Sequence, residues 1–296
     1  MKTIIVTGAN SGLGLWTTKY LLDQDYKVIM ACRNIEKTKL AIDNFIEFDK
    51  NKSYSIKQLD LADFQSIRDF VIELPLSEEI YGLDCNAGFV YQTDFRYTKQ
   101  GIEETFGVNH LGHFYLTNLL LEKFSIKKIV VISSEGHDPR IKAPIAKAVY
   151  RPVLEMAYPK KDTRKLADQT QEFYCNSKLC NVFFTYALAQ KLAGKTLVNA
   201  YNPGFMPTTN FGRTDKIANL IFSKAMTVLG SIFGFTTSAK KSAKYVARLF
   251  NEETATGKYF EEDKAAESSK DSYDENKVKE LWDNSEKLVK SILEKK

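Results

Sequence analysis

Tyr174 and Lys178 stand four residues apart in a stretch with helical periodicity, so both side chains share one helix face. An ammonium beside a phenol favours phenolate and lowers the Tyr pKa from about 10 toward neutral. Such a Tyr can work as a general acid or base. The same spacing also describes an ordinary surface i,i+4 pair. Ser133 and Ser134 end an Ile/Val-rich run, where one hydroxyl could hydrogen-bond a substrate oxygen. Asn109, in Val108–Phe114, falls inside a helical pattern and is followed by Gly112. Both are costly in a plain helix, which predicts a kink or a water site there.

A second chemistry lies in Thr7-Gly8-Ala9-Asn10-Ser11-Gly12-Leu13-Gly14. An apolar strand runs into a Gly-rich turn and then a helix. Glycine lets backbone approach a pyrophosphate, and a helix N-terminus offers N–H donors and a positive dipole. The bland alternative is a tight turn without a ligand. The second strand ends in Ala31-Cys32-Arg33-Asn34, with no acid for the adenosine ribose hydroxyls. Arg33 could instead pair with a 2′-phosphate, which favours NADP(H) over NAD(H). A solvated surface Arg is the alternative. Asp60 and Leu61 follow the third strand, and Asp60 could meet an adenine amino group or cap the next helix. Asn86-Ala87-Gly88 ends the fourth strand as a small-residue turn.

These residues need a frame, and the chain alternates accordingly. Strands are predicted at 2–7, 27–32, 54–59, 83–85, 128–133 and 196–201, with a last edge strand at 257–260. Helices are predicted at 13–22, 37–48, 64–74, 101–124, 171–192 and 240–250, with Gly194 as a stop, and an amphipathic helix closes the chain at 276–294. Strand–helix alternation with near-continuous apolar strands predicts an α/β fold with a parallel sheet and helices on both faces. We expect one domain over residues 1–296. Two segments break the rhythm: a polar, Pro-containing insert at 135–170 and an apolar segment at 205–238. Both leave from strand carboxyl ends, where such sheets bind ligands. The second is expected to be a lid, with a core helix or a membrane-surface patch as alternatives.

Composition adds exclusions. The 296 residues are 44% hydrophobic, which supports a core and excludes a disordered chain. A net charge of +5 without Lys/Arg clusters argues against nucleic acid. Cys32, Cys85, Cys175 and Cys180 have no framework spacing and fit free thiols in a reducing compartment. The apolar run at the start is too short for a secretory signal, and the most apolar stretch, 217–235, is interrupted by Asn219, Lys224 and Gly230. The expected setting is cytoplasmic, without an integral membrane segment. His110 and His113 lack partners for a metal set and are expected to pack, so no metal is expected. His137 either faces the pocket or is exposed.

Taken in order, Thr7–Gly14, Asn86-Ala87-Gly88, Asn109, Ser134, Tyr174-x-x-x-Lys178 and Asn202-Pro203-Gly204 resemble the short-chain dehydrogenase/reductase family, from residue 3 to about 260. Ala31-Cys32-Arg33, Val108–Phe114, Tyr174–Leu179, Gly257–Phe260 and the tail around Leu281-Trp282 look like the retinol dehydrogenase and protochlorophyllide reductase branch. The resemblance implies a single Rossmann-type doubly wound sheet and hydride transfer between a nicotinamide and a carbonyl or alcohol. It implies Tyr174 as acid/base, Lys178 on the nicotinamide ribose, Ser134 on the substrate carbonyl and Asn109 supporting a relay water. It implies Gly8, Asn10, Ser11, Gly12, Leu13 and Gly14 at the phosphates, Arg33 at the 2′-phosphate, Asp60 and Leu61 at the adenine, and Asn86, Ala87 and Gly88 beside the adenosine ribose. Pro203, Gly204 and Thr208 would flank the nicotinamide. Two departures limit the branch: Phe205 stands where protochlorophyllide reductases carry Cys, and no hydrophobic anchor precedes the first strand. The expected substrate is a moderately apolar small molecule. The alternatives are a catalytically weak nucleotide-binding regulator and a peripheral membrane reductase of lipid-like substrates. The resemblance leaves monomer and homo-oligomer open.

Overall fold

The computed structural model describes residues 1–90, 94–141, 146–204, 206 and 237–294. The chain begins with β1 (Thr3–Thr7), α1 (Gly12–Asp23), β2 (Lys27–Cys32), α2 (Ile35–Asp43), β3 (Tyr54–Gln58), α3 (Phe64–Ile72) and β4 (Ile80–Cys85). It continues through α4 (Glu104–Phe106), a π-turn (Gly107–Leu111), α5 (Gly112–Lys123), β5 (Lys128–Ile132) and a 3-10 turn (Glu135–His137). Then come α6 (Val153–Ala157), α7 (Leu166–Leu192), β6 (Leu197–Asn202), α8 (Ala239–Asn251), β7 (Lys258–Glu261), β8 (Lys264–Ala266), a second 3-10 turn (Lys270–Tyr273) and α9 (Glu275–Glu294).

The strands form one eight-stranded sheet ordered β3-β2-β1-β4-β5-β6-β7-β8. Every pairing is parallel except β7 with β8. β7 is therefore not the edge strand that 257–260 predicts; a short antiparallel return covers it. That return was not legible, because three residues carry too little pattern to mark a strand.

The fold is the expected α/β Rossmann type. Strand order reverses between β1 and β4, and that reversal opens a crevice at their carboxyl ends. Two apolar layers hold the sheet. On one face α1 and α8 bury Leu13, Leu21, Val246 and Phe250 against Ile4, Val6, Val28 and Val130. On the other, α3, α5, α7 and α9 bury Phe70, Leu116, Phe183 and Trp282 against Ile5, Ile29, Leu83 and Ile129.

The predicted helix at 101–124 is interrupted, as expected, around Asn109: the backbone widens into the π-turn before resuming as α5. The tail is not surplus. Trp282 of α9 packs edge-on to Phe114 at 4.9 Å between centroids and stacks on Phe184 at 6.0 Å. It thereby joins the helices that carry Asn109 and Tyr174.

The insert is pinned to the first turns of α7. Glu172, buried, accepts from Arg151 at 2.7 and 2.8 Å through one oxygen and from Arg164 at 2.6 Å through the other. Such charge-assisted forks fix geometry as well as adding energy. Nearer the site, the Asn176 carboxamide oxygen accepts from Val149 N at 2.7 Å. Val153, Met156 and Ala157 are buried beneath. The lid expectation for 205–238 falls almost wholly outside the described residues, as does the 217–235 stretch. No helix among the described residues is long and apolar enough to cross a membrane.

Candidate active site

The Gly-rich turn links β1 to α1. Gly8 and Gly12 have φ of +65° and +53°, a region that favours glycine. Gly14 is needed for space: a Cβ there would stand 2.5 Å from Asn86 Nδ2 and 2.7 Å from the Gly8 carbonyl. Ser11 precedes α1 in extended conformation and makes no side-chain cap. The first-turn N–H groups are thus left to a ligand or solvent, at the positive end of the helix dipole. These features fit a pyrophosphate.

Asn86 stitches the two strand ends that flank the crevice. Its amide donates to the Thr7 carbonyl at 2.7 Å, and its backbone N–H donates to the Thr7 hydroxyl at 2.9 Å. The Ala87 N–H reaches the same hydroxyl at 3.0 Å. Arg33 is exposed at the end of β2, with Glu104 as a distant partner at 4.0 Å. Asp60 is half-buried and accepts from Ala62 N, while Asp63 caps α3 by accepting from Gln65 N. The cap alternative for Asp60 therefore falls to Asp63. Leu61 is buried, and its carbonyl would lie 2.5 Å from a Cβ at Gly112, so the Asp60–Leu61 turn packs directly on α5.

Ser134, Tyr174 and Lys178 meet at the carboxyl end of β5. The two serines separate cleanly. Ser133 is buried and its hydroxyl donates to the Lys178 backbone carbonyl at 2.9 Å. Ser134 accepts from Gly136 N at 3.2 Å and hydrogen-bonds the Tyr174 side chain. The Lys178 ammonium lies 5.9 Å from the Tyr174 ring centroid and donates to the Ile132 carbonyl at 3.0 Å. Among the described residues no carboxylate pairs with it.

The expected lowering of the phenol is not what the protein itself produces. Burial pushes the Tyr174 hydroxyl up, with the Ser134 hydrogen bond pulling the other way. Burial also pushes Lys178 down to about 7. An ammonium that loses its proton near neutrality is a weak source of the positive field that expectation required.

Asn109 sits in the π-turn with its side chain fully engaged. Its oxygen accepts from Phe89 N, and its amide donates to the Phe89 carbonyl and Ser177 Oγ, all at 3.0 Å. Gly88 lies between the two groups: a Cβ there would stand 3.2 Å from Asn109 Oδ1 and 3.3 Å from Lys178 Nζ. Asn109, Gly88 and Lys178 are thus mutual neighbours across 90 residues of chain. Pro203 and Gly204 follow β6 on the same edge, and Thr208 lies outside the described residues.

Several contributors were missed. Asn202 Oδ1 accepts from Glu135 N at 3.1 Å and Gly204 N at 2.9 Å, tying the Ser134 turn to the Pro203-Gly204 turn. His137 is neither exposed nor facing the pocket. It is buried, with Nδ1 2.6 Å from the Ser134 carbonyl and Nε2 accepting from Ser269 N at 3.0 Å. Nothing local in the sequence signals a partner that far along the chain. His110 and His113 are buried as expected, and no metal-holding cluster occurs among the described residues.

A reversed parallel sheet whose first turn fits a pyrophosphate, with Tyr, Ser and Lys gathered beside it, has the form of a nucleotide-dependent α/β oxidoreductase. Residues 2–145 match the family model for short chain dehydrogenases. Human retinol dehydrogenase 13 is 35% identical over 97% of this chain and 84% of its own. Human retinol dehydrogenase 14 is 32% identical over 97% and 86%, and the human WW domain-containing oxidoreductase 30% over 99% and 69%. A crystal structure of a protein from Mycobacterium Paratuberculosis superposes with TM-score 0.74 at 25% identity, covering 98% of this chain and 94% of that one. A structure described as an NAD(P) dependent gluconate 5-dehydrogenase from Beutenbergia cavernae, with bound NADP, shares the fold at TM-score 0.62 and 20% identity, over 88% and 94%. The chain belongs to the short-chain dehydrogenase/reductase family, in its retinol dehydrogenase-like branch, and is a nicotinamide-dependent oxidoreductase of CH–OH and C=O groups.

Proposed function

We propose that the protein is an NADP(H)-preferring reductase or dehydrogenase of a moderately apolar small carbonyl or alcohol. Tyr174 is the general acid/base, Ser134 orients the reacting oxygen, Lys178 holds the ribose and passes protons, and Asn109 keeps the relay in place. The observation that carries it is the Ser134–Tyr174 hydrogen bond with the Lys178 ammonium 5.9 Å from the same ring. Nothing among these four is broken, which argues against a regulator that has lost turnover.

When bound, the nicotinamide supplies or accepts the hydride. In the reducing direction Tyr174 gives its proton to the substrate oxygen while Ser134 holds that oxygen. Lys178, with a pKa near 7, can exchange a proton at neutral pH without a strong base or acid nearby. The phosphates would lie on Gly8, Asn10, Ser11, Gly12, Leu13 and Gly14. The adenine would lie by Asp60 and Leu61, and the nucleoside side by Asn86, Ala87 and Gly88. Pro203, Gly204 and Thr208 would flank the nicotinamide.

NADP is preferred because Arg33 is exposed at the end of β2, with its partner Glu104 only at 4.0 Å, where a 2′-phosphate could take both prongs of its guanidinium. An apolar substrate agrees with two relatives named for retinol. A panel of aldehydes, ketones and alcohols, assayed with NADPH and NADH, tests the whole proposal. Tyr174→Phe should remove at least about 100-fold of kcat. Arg33→Ala should raise KM for NADPH roughly tenfold and leave NADH unchanged. Unaltered turnover in Tyr174→Phe, or equal use of both cofactors, sinks the corresponding part.

A further inference from the structure

We propose that His113 is a positioning residue: its imidazole clamps the Asn109 peptide to the strand end that carries the cofactor turn. The inference rests on the site proposed above.

The hydrogen bonds fix the ring's protonation pattern. His113 is buried at the start of α5, with Nδ1 3.2 Å from the Asn109 carbonyl. A carbonyl only accepts, so Nδ1 carries the proton. Nε2 of the neutral ring is then an acceptor, and the Thr7 hydroxyl stands 2.9 Å away as its donor. Thr7 can spare that proton because its oxygen already accepts from Asn86 N and Ala87 N. The Asp84 carbonyl, at 3.1 Å, shares it. One ring therefore spans the end of β1, the turn after β4 and the π-turn.

The clamp falls on the peptide of the residue whose side chain neighbours Lys178. The Asn109 side chain is spent on Phe89 and Ser177, so its carbonyl is what His113 can hold. That carbonyl lies in the π-turn, where the helical ladder is widened. Asn109 and Lys178 meet at Gly88, so a shift of this peptide moves the surroundings of the ammonium. Mere packing does not call for an imidazole here. A leucine would fill the slot without leaving a titratable ring in apolar surroundings, where burial holds His113 down at about 4.

The test uses the full chain and the best carbonyl substrate of the panel. His113→Leu keeps bulk and loses both bonds; His113→Gln keeps an amide donor and an acceptor. We expect His113→Leu to lower kcat about tenfold or more, with the KM of the carbonyl within about threefold, and His113→Gln to recover most of kcat. Wild-type kcat in His113→Leu overturns the proposal, as does equal loss in Leu and Gln variants. If His113→Leu fails to fold, Thr7→Val takes its place. It should lower kcat alike, and Thr7→Val with His113→Gln should be no worse than Thr7→Val alone, whereas additive losses overturn the clamp. Tyr174→Phe on the same substrate separates the two levels. If it stays active, the site itself is wrong and the clamp falls with it. If it is dead while His113→Leu is wild type, only the clamp fails.

Discussion

Asp84 is a carboxyl in the middle of a sheet. It sits fully buried on β4, with Val6 and Val130 as its register neighbours on either side. Neither oxygen has a hydrogen-bond partner among the described residues, and burial holds its pKa well above the usual carboxylate value. The folded chain therefore keeps Asp84 protonated where the unfolded chain, at about 4, has ionised it. Stability is lost as pH rises above that value. Asp84→Val should raise the unfolding free energy at pH 7 by about 1–3 kcal/mol, measured by urea denaturation, and by less at pH 4. A loss at pH 7 would mean that the carboxyl has a partner after all. At the same scale the candidate tetrad was legible because its residue types stand in the order that the family resemblance carries. Residue type alone left Ser133 and Ser134 open and the resemblance pointed to Ser134; adjacent strand-end residues point to opposite sides of the sheet, and the packing of α7 turns Ser134 toward Tyr174.

Among elements, the insert between β5 and α7 is tied to the helix that carries Tyr174. Its anchor is Glu172 of α7, held between Arg151 and Arg164. Glu172→Gln should leave two guanidinium groups underpaired and cost about 1–3 kcal/mol. It should also make 146–165 more sensitive to limited proteolysis while residues 1–90 keep their protection. Unchanged cleavage would show that Val153, Met156 and Ala157 hold the insert without the ion pairs. The sequence marked this segment as an insert because it breaks the strand–helix rhythm. It could not give the anchor, since Arg151, Arg164 and Glu172 follow no period and meet only once the chain has folded back. The π-turn was half legible: Asn109 and Gly112 signalled an interruption, but its wide geometry depends on bonds to Phe89 and Ser177.

Over the whole molecule, buried titratable groups set the pH response. All three histidines are held below their ordinary value by burial, His110 at about 3 and His113 at about 4. As pH falls through 6.5 the unfolded chain takes up histidine protons ahead of the folded chain, so these groups lower stability. Asp84 and Glu103, the latter at about 7, act in the opposite sense above about 4.3, because there the unfolded chain has released protons that the folded chain keeps. Removing Asp84 takes away one proton that the folded chain keeps, so Asp84→Val should lose stability more steeply than the wild type between pH 6 and 5, by about 1.4 kcal/mol per pH unit. Equal slopes in the two proteins, followed by urea titration at each pH, would refute this balance.

The sequence by itself determined the class of fold and named the candidate site. Strand–helix periodicity is local, and the Gly-rich turn, the Tyr-x-x-x-Lys spacing and Asn202-Pro203-Gly204 keep their meaning whatever surrounds them. Tertiary structure alone decided the rest. It made β8 the edge, drew α9 into the core through Trp282, and put His113 and His137 to work as buried bridges. It also set the charges, because burial raised Tyr174 and lowered Lys178 against the sequence's expectation. The physical reason is common to all of these. Desolvation and hydrogen-bond partnership depend on neighbours brought from far along the chain, and no local spacing encodes them.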